Sequence, residues 1–266
     1  MTGAVQHIEL SAGRIEYRWA GVHGAALRDA ALPVLVFLHE GLGCVALWRD
    51  FPDQLAQATG LPALVYSRIG YGGSSPCTLP RPITYMHDEG KTVLPELLAA
   101  LGIRSHILIG HSDGASIALI YAGAAARDGL LGVAALAPHT FCEEISVTSI
   151  RAAGKAYAEG DLRTRLAKYH GDNVDCAFRG WCEAWLAPAF LHWNIEDYVD
   201  RIAVPVLVIQ GEEDEYGTAA QVETIVRRLP GRAEALLLPA CGHSPQRDQT
   251  ARTLAALAGF TAQLQR

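Results

Sequence analysis

Six runs of consecutive apolar residues punctuate the chain, each closing in polar or glycine-rich residues. They are 33–43 (PVLVFLHEGLG), 61–75 (LPALVYSRIGYGGSS), 105–114 (SHILIGHSDG), 129–139 (GLLGVAALAPH), 204–217 (VPVLVIQGEEDEYG) and 233–244 (AEALLLPACGHS). Short runs without polar alternation read as strands buried on both faces. Helix-like stretches separate them, among them Trp48 to Thr59, Gly90 to Leu101 and Gln221 to Leu229. Strands alternating with helices predict a mostly parallel sheet covered by helices on both faces. The opening residues HIEL and RIEYRWAG, on either side of Gly13, alternate polar and apolar. That period of two predicts an antiparallel hairpin at a sheet edge.

The interval 140–200 breaks the rhythm. It contains no buried-strand run, and its residues (IRAAGKAYAEG, LRTRLAKYH, RGWCEAWLAPAF) favour helix. We expect a helical cap, or lid, inserted between two strands, with 1–139 and 201–266 forming one α/β core around it. The chain shows no internal repeat and no low-complexity linker.

Composition narrows the function classes. The 266 residues are 50% hydrophobic and 19% charged, which excludes extended disorder for most of the chain. With 22 Lys and Arg against 28 Asp and Glu, the formal charge is −6, so a basic surface for nucleic acid is not expected. Mean hydropathy is +0.14, yet no stretch free of Asp, Glu, Lys and Arg exceeds 14 residues, as in Gly129 to Cys142. A spanning helix needs about 20. The beginning MTGAVQHIEL has neither a basic start nor an apolar core, so a cytoplasmic protein without membrane association is the expectation. The six cysteines are scattered without zinc-ligand spacing and read as reduced small hydrophobes; no metal is expected.

The sharpest motif is Gly110-His111-Ser112-Asp113-Gly114, between the apolar run ILIG and the small-residue stretch ASIALIYAGAAA. A serine on a strained strand-to-helix turn, with glycines letting neighbouring backbone pass, is a nucleophile elbow; a helix-capping serine is the plain alternative. A serine hydroxyl needs a base oriented by a carboxylate, and this elbow expects the order Ser, acid, His. Asp214 follows the run VLVIQG and His243 follows ALLLPA, each at the carboxyl end of a predicted parallel strand, where sites of open α/β sheets form. Glu212, Glu213 and Glu215 compete with Asp214, which position favours. An oxyanion hole would draw on the Asp113 N–H and on Gly41 or Leu42 of the loop His39–Gly43. His39 is expected to orient that loop, and His111 to pack beside the elbow.

The series HEGLG, SRIGYGGSS, GHSDG, GEEDEYG and CGHSP, in this order over nearly the whole chain, resembles the α/β-hydrolase superfamily, in its lid-bearing branch of bacterial esterase-like and biphenyl-hydrolase-like enzymes. The resemblance implies the α/β-hydrolase fold and serine hydrolysis, with no cofactor. Two departures qualify it. Relatives usually read His-Gly where this chain has His39-Glu40, so Glu40 either touches substrate or braces the loop, the latter favoured. Relatives that hydrolyse carbon–carbon bonds usually flank the nucleophile with Asn and Met, where His111 and Asp113 stand here. A Ser-Asp elbow is also similar to that of relatives acting on amino-acid esters, in which the acid holds a substrate ammonium. The plainer reading is that Asp113 complements the helix N-terminus and faces away from substrate. Dehalogenases and epoxide hydrolases of this fold use an aspartate nucleophile, which Ser112 disfavours.

The expected activity is therefore hydrolysis of a small or medium carboxylic ester, lactone or related acyl compound through Ser112. Carbon–carbon hydrolysis of a vinylogous diketone and non-catalytic ligand binding on the same fold are the alternatives. Nine of the 20 aromatic residues lie within 140–200, including three of five tryptophans. Trp181 and Trp185, one helical turn apart, pack together or roof the substrate; a hydrophobic or aromatic substrate is expected. The interval also carries ten acids and six bases, a net charge of −4 that disfavours a polyanionic substrate.

Overall fold

A computed structural model describes residues 3–21, 32–124 and 128–265. Residues 125 and 126, the end of the small-residue stretch after Ser112, lie outside the described residues. The predicted hairpin is β1 (Gln6–Leu10) and β2 (Gly13–Ala20). The six apolar runs contain β3 (Val34–Leu38), β4 (Ala63–Ser67), β5 (His106–His111), β6 (Leu130–Leu136), β7 (Val206–Gly211) and β8 (Ala233–Leu238). The sheet order is β1-β2-β4-β3-β5-β6-β7-β8. β1 and β2 pair antiparallel, as do β2 and β4, and every later pair is parallel.

Strand alternation divides the core in two. Val34, Val36 and Leu38 of β3 enter one apolar cluster, with Leu94, Leu97 and the helix Asp113–Ala124, while Leu35 and Phe37 enter the other, with Phe51, Leu55 and Phe260. All five β3 residues are buried, because successive side chains point to opposite faces and both faces are covered. The helix Asp113–Ala124 is almost wholly buried, which suits its small, all-round apolar sequence.

β8 departs from the reading of its run as buried on both faces: four of its six residues are partly or fully exposed at Ala233–Leu236, and Leu237 is 43% exposed. It is the last strand of the sheet, with β7 on one side only.

Between β6 and β7 run the helices Glu144–Glu159, Leu162–His170, Val174–Leu186 and Glu196–Val199, with a short 3₁₀ turn at Pro188–His192. Among the described residues no helix is long and apolar enough to cross a membrane. The chain order reverses around β3, which lies between β4 and β5. Such a reversal opens a crevice at the carboxyl ends of the strands, where the loops after β3, β5, β7 and β8 converge.

Candidate active site

Ser112 stands between β5 and the helix Asp113–Ala124 with φ +52°. That left-handed conformation is costly for a residue with a Cβ, of order 1–3 kcal/mol, and marks a turn held by its surroundings. Its N–H donates to the Leu136 carbonyl (2.9 Å), and its carbonyl accepts from Ala115 and Ser116. The flanking glycines are dictated by space. A Cβ on Gly110 would lie 2.3 Å from the Gly114 oxygen, and one on Gly114 would lie 2.1 Å from the Leu38 oxygen.

Three residues at strand ends come together here. Ser112 Oγ is 2.9 Å from His243 Nε2, and His243 Nδ1 is 2.8 Å from Asp214 Oδ1. The carboxylate accepts from Nδ1–H, which leaves the Nε2 lone pair facing the serine hydroxyl. Asp214 Oδ1 also accepts the N–H groups of Tyr216 (2.8 Å) and Gly217 (3.2 Å). Burial alone would raise the Asp214 carboxyl; the His243 bond and charge, with the Tyr216 N–H, outweigh it and lower the value. Of the competing acids, Glu215 instead accepts the His243 backbone N–H at 3.2 Å.

The loop after β3 is fixed from beneath. His39 Nδ1–H donates to the Glu40 carbonyl (2.7 Å), and His39 Nε2 accepts the Arg68 N–H (3.1 Å). Burial first, and then the Arg68 charge, push the His39 imidazole well below its ordinary 6.5, so it stays neutral. No group among the described residues accepts a hydrogen bond from the N–H of Gly41, Leu42 or Asp113. His170, from the helical segment, donates Nε2–H to the Leu42 carbonyl at 3.0 Å and accepts the Gly72 N–H at 3.1 Å. Glu40 Oε2 lies 3.6 Å from His111 Nδ1 and fills the space beside Gly43. Burial pushes its carboxyl up, but the neighbouring imidazoles of His111 and His39 prevail and hold it at about 2. His111 itself donates Nε2–H to the His243 carbonyl at 2.7 Å, and so packs beside the elbow.

Asp113 points its carboxylate into the protein, where it is completely buried. It accepts from Tyr85 Oη (2.5 Å) and Trp185 Nε1 (3.2 Å), with Arg68 Nη1 at 3.6 Å. These partners occupy the carboxylate that a substrate ammonium would need. Arg68 and Tyr85 escaped the sequence reading, although Arg68 belongs to the motif SRIGYGGSS at the end of β4.

The two tryptophans singled out in the sequence differ in placement. Trp181 lies against the loop after β3, so close that a Cβ on Gly41 would fall 2.2 Å from its Nε1. Trp185 is buried, its indole N–H engaged by Asp113 and Tyr85, its ring 5.0 Å from that of His139 and 4.6 Å from Phe190. His139 and Tyr216 were also missed. Their rings stand 5.7 and 4.7 Å from His243. His139 follows β6 as Asp214 follows β7, so the strand-end rule could have found it. Burial, and then the His243 charge, lower the His139 imidazole to about 3.

Comparison with known proteins bears on the family and the fold. A family model described as "Alpha/beta hydrolase family" matches residues 35–257. A proline iminopeptidase of Levilactobacillus brevis is 37% identical over 95 residues, 36% of this chain and 31% of that protein; the matched part is about a third of the length of that relative. Among solved structures, an esterase from a Rhodococcus species superposes with a TM-score of 0.70 at 19% identity, covering 99% of this chain and all of that one. The enol-lactonase of Burkholderia xenovorans does so with a TM-score of 0.72 at 19% identity, over 97% of this chain and all of that one. With the family model extending over most of its length, and the expected fold in place, the chain belongs to the alpha/beta hydrolase family.

Proposed function

We propose that the protein is a serine hydrolase that cleaves a small to medium, hydrophobic or aromatic carboxylic ester, lactone or related acyl compound. The observation that carries this reading is the continuous hydrogen-bonded line from Ser112 Oγ through His243 to Asp214, at 2.9 and 2.8 Å, built on a left-handed serine at a strand end. His243 removes the hydroxyl proton as Ser112 attacks the acyl carbon, while Asp214 holds the imidazole in its tautomer and stabilises the imidazolium. The N–H of Asp113 and that of Gly41 or Leu42 hold the oxyanion, each contributing about 3–4 kcal/mol in the transition state. His243 then gives its proton to the leaving alcohol, and water activated by the same imidazole releases the acid and frees Ser112.

The helical segment 140–200 is proposed as the cap of this site, over a core formed by 1–139 and 201–266. Its contacts support that role, since Trp181 covers Gly41 and Trp185 reaches under the elbow to Asp113. Glu40 is assigned to bracing the loop through His111. The esterase and the lactonase of the same fold fit acyl chemistry, and the engaged Asp113 carboxylate disfavours recognition of an amino-acid ammonium. Turnover of a p-nitrophenyl ester series tests the reading. Repeated turnover with a preference for apolar acyl groups, lost in Ser112→Ala, supports it; a single stoichiometric burst points to a binding protein, and turnover only of a vinylogous diketone points to carbon–carbon hydrolysis.

A further inference from the structure

Cys77 lies in the loop after β4 and Cys176 in the first turn of the helix Val174–Leu186, yet their sulfurs are 2.9 Å apart. The approach is framed on both sides: the Cys77 N–H donates to Cys176 Sγ (3.1 Å), and the Cys176 thiol donates to the Cys77 carbonyl (3.1 Å). Both thiols are free and only half-buried. Closing the remaining gap to a disulfide takes about 1 Å. A cleft of about 120 Å³ bordered by Cys77, Arg81 and Tyr85 reaches the Cys77 side of the pair. The Arg81 guanidinium and Cys77 Sγ both lie within 3.0 Å of the point where a Gly70 side chain would begin, so a fixed positive charge flanks this sulfur. Burial pushes the Cys176 thiol up to about 11.

We propose that Cys77 and Cys176 form a redox-modification site, at which an oxidant of the peroxide class joins the two sulfurs and so fastens the helix Val174–Leu186 to the core, lowering turnover. With hydrogen peroxide, the Cys77 sulfur attacks one oxygen, the O–O bond breaks, the thiol proton leaves with the departing hydroxide as water, and a sulfenic acid forms. The Cys176 sulfur then attacks the Cys77 sulfur, the S–O bond breaks, and the thiol proton leaves with the hydroxide as a second water. Two thiols and one peroxide thus give one disulfide and two waters; two equivalents of an external thiol reverse the change. The consequence follows from what this helix carries. Trp181 sits on Gly41 and Trp185 on Asp113, so substrate entry requires the helix to yield, and a covalent tie five residues before Trp181 opposes that movement.

The test treats the reduced protein with hydrogen peroxide and digests it with trypsin without reductant. Cys77 and Cys176 are the single cysteines of the peptides 69–91 and 169–179. The expected result is a cross-linked pair of these peptides, slower amide hydrogen exchange over 174–186, and a fall in kcat/KM of about tenfold, all reversed by dithiothreitol and absent from Cys77→Ser and Cys176→Ser. The turnover arm rests on the proposed hydrolase reading; the cross-link and exchange arms do not, so their failure is separable from its failure. No cross-link, a cross-link between other cysteines, or a correct cross-link with unchanged exchange over the helix would overturn the proposal.

Discussion

Asp214 and His243 arrive beside Ser112 on short loops that leave directly from β7 and β8, whereas Trp181 and Trp185 reach the same crevice from a helix far from any strand. In the sheet, position is enforced by backbone pairing: β5 and β6 run in register from Ile107 to His111, and the Ser112 N–H extends the ladder to Leu136. In the helical segment it is enforced by side chains. Ser146 and Ser149 donate to the carbonyls of Tyr216 and Glu215 (2.5 and 2.6 Å), His170 to that of Leu42, and Phe190 stacks on Trp193 with the Trp185 ring tilted against both. A backbone ladder tolerates little displacement, while hydroxyl contacts and ring packing allow rearrangement. On the proposed reading, the reacting groups therefore belong to the rigid region, and substrate selection to the adaptable one.

The sharpest way to break this division is Ser112→Ala. It should lower kcat by at least about 10⁴-fold, as loss of a triad serine does, while thermal unfolding stays within a few degrees of the parent. A small loss of kcat would move the chemistry away from the strand ends.

Acid sensitivity is the next probe, to which His170 of the helical segment also adds, its imidazole lowered chiefly by burial. His139, after β6, and His106, on β5, are lowered to about 3 and about 4, in both cases with burial as the leading cause. Both bind protons more readily in the unfolded chain, where they titrate at 6.5, so stability falls as pH drops below 6.5 and continues to fall to the folded values. Between pH 7 and 5 each should contribute a loss of about 2 kcal/mol. In the helical segment Asp175 is held at about 2, chiefly by Arg163 and Tyr157, and its stabilising effect would fade only as pH falls below 3.8. Arg163 and Asp175 are about half exposed, so that pair contributes little. Denaturant unfolding at pH 7 and 5 should show a large drop in the parent and a smaller one in His139→Asn.

Gly41→Ala probes the seam between the regions. Its Cβ would collide with Trp181, and displacing the loop should cost about 10²-fold in kcat/KM, the effect of misplacing one oxyanion donor. Adding Trp181→Ala should recover part of that loss; additive losses would mean that the two do not share the contact. The smallest effect is expected for Trp185→Phe, which removes the indole N–H from Asp113 and should lower unfolding stability by about 1–2 kcal/mol, with kcat/KM changed less than by Gly41→Ala.

The same division explains what was readable in the sequence. Every strand, the hairpin edge, the elbow and the order Ser112, Asp214, His243 follow from local patterns: apolar runs, glycines where backbone must pass closely, and polar residues just beyond strand ends. The solvent exposure of β8 was not readable, because lying last in a sheet is a property of topology and not of the run itself. Contacts that join distant segments were equally hidden. Trp185 meets Asp113 across 72 positions, Cys176 meets Cys77 across 99, and His170 meets Leu42 across 128. No periodicity links such residues; each pairing exists only once the helical segment has folded back over the sheet. Clustered aromatics in 140–200 announced side-chain packing, but not that Trp181 would lie on Gly41 while Trp185 would be buried beneath the elbow.

The central claim is that Ser112 is a nucleophile activated by His243. Incubation with a fluorophosphonate, followed by intact-mass measurement and peptide mapping, tests it most directly, because labelling depends on nucleophile and base without requiring the natural substrate. The account predicts one label per chain, on Ser112, with labelling strongly slowed in His243→Ala and in Asp214→Asn. Absence of labelling in the folded protein, labelling at another residue, or an unchanged rate in His243→Ala would contradict it.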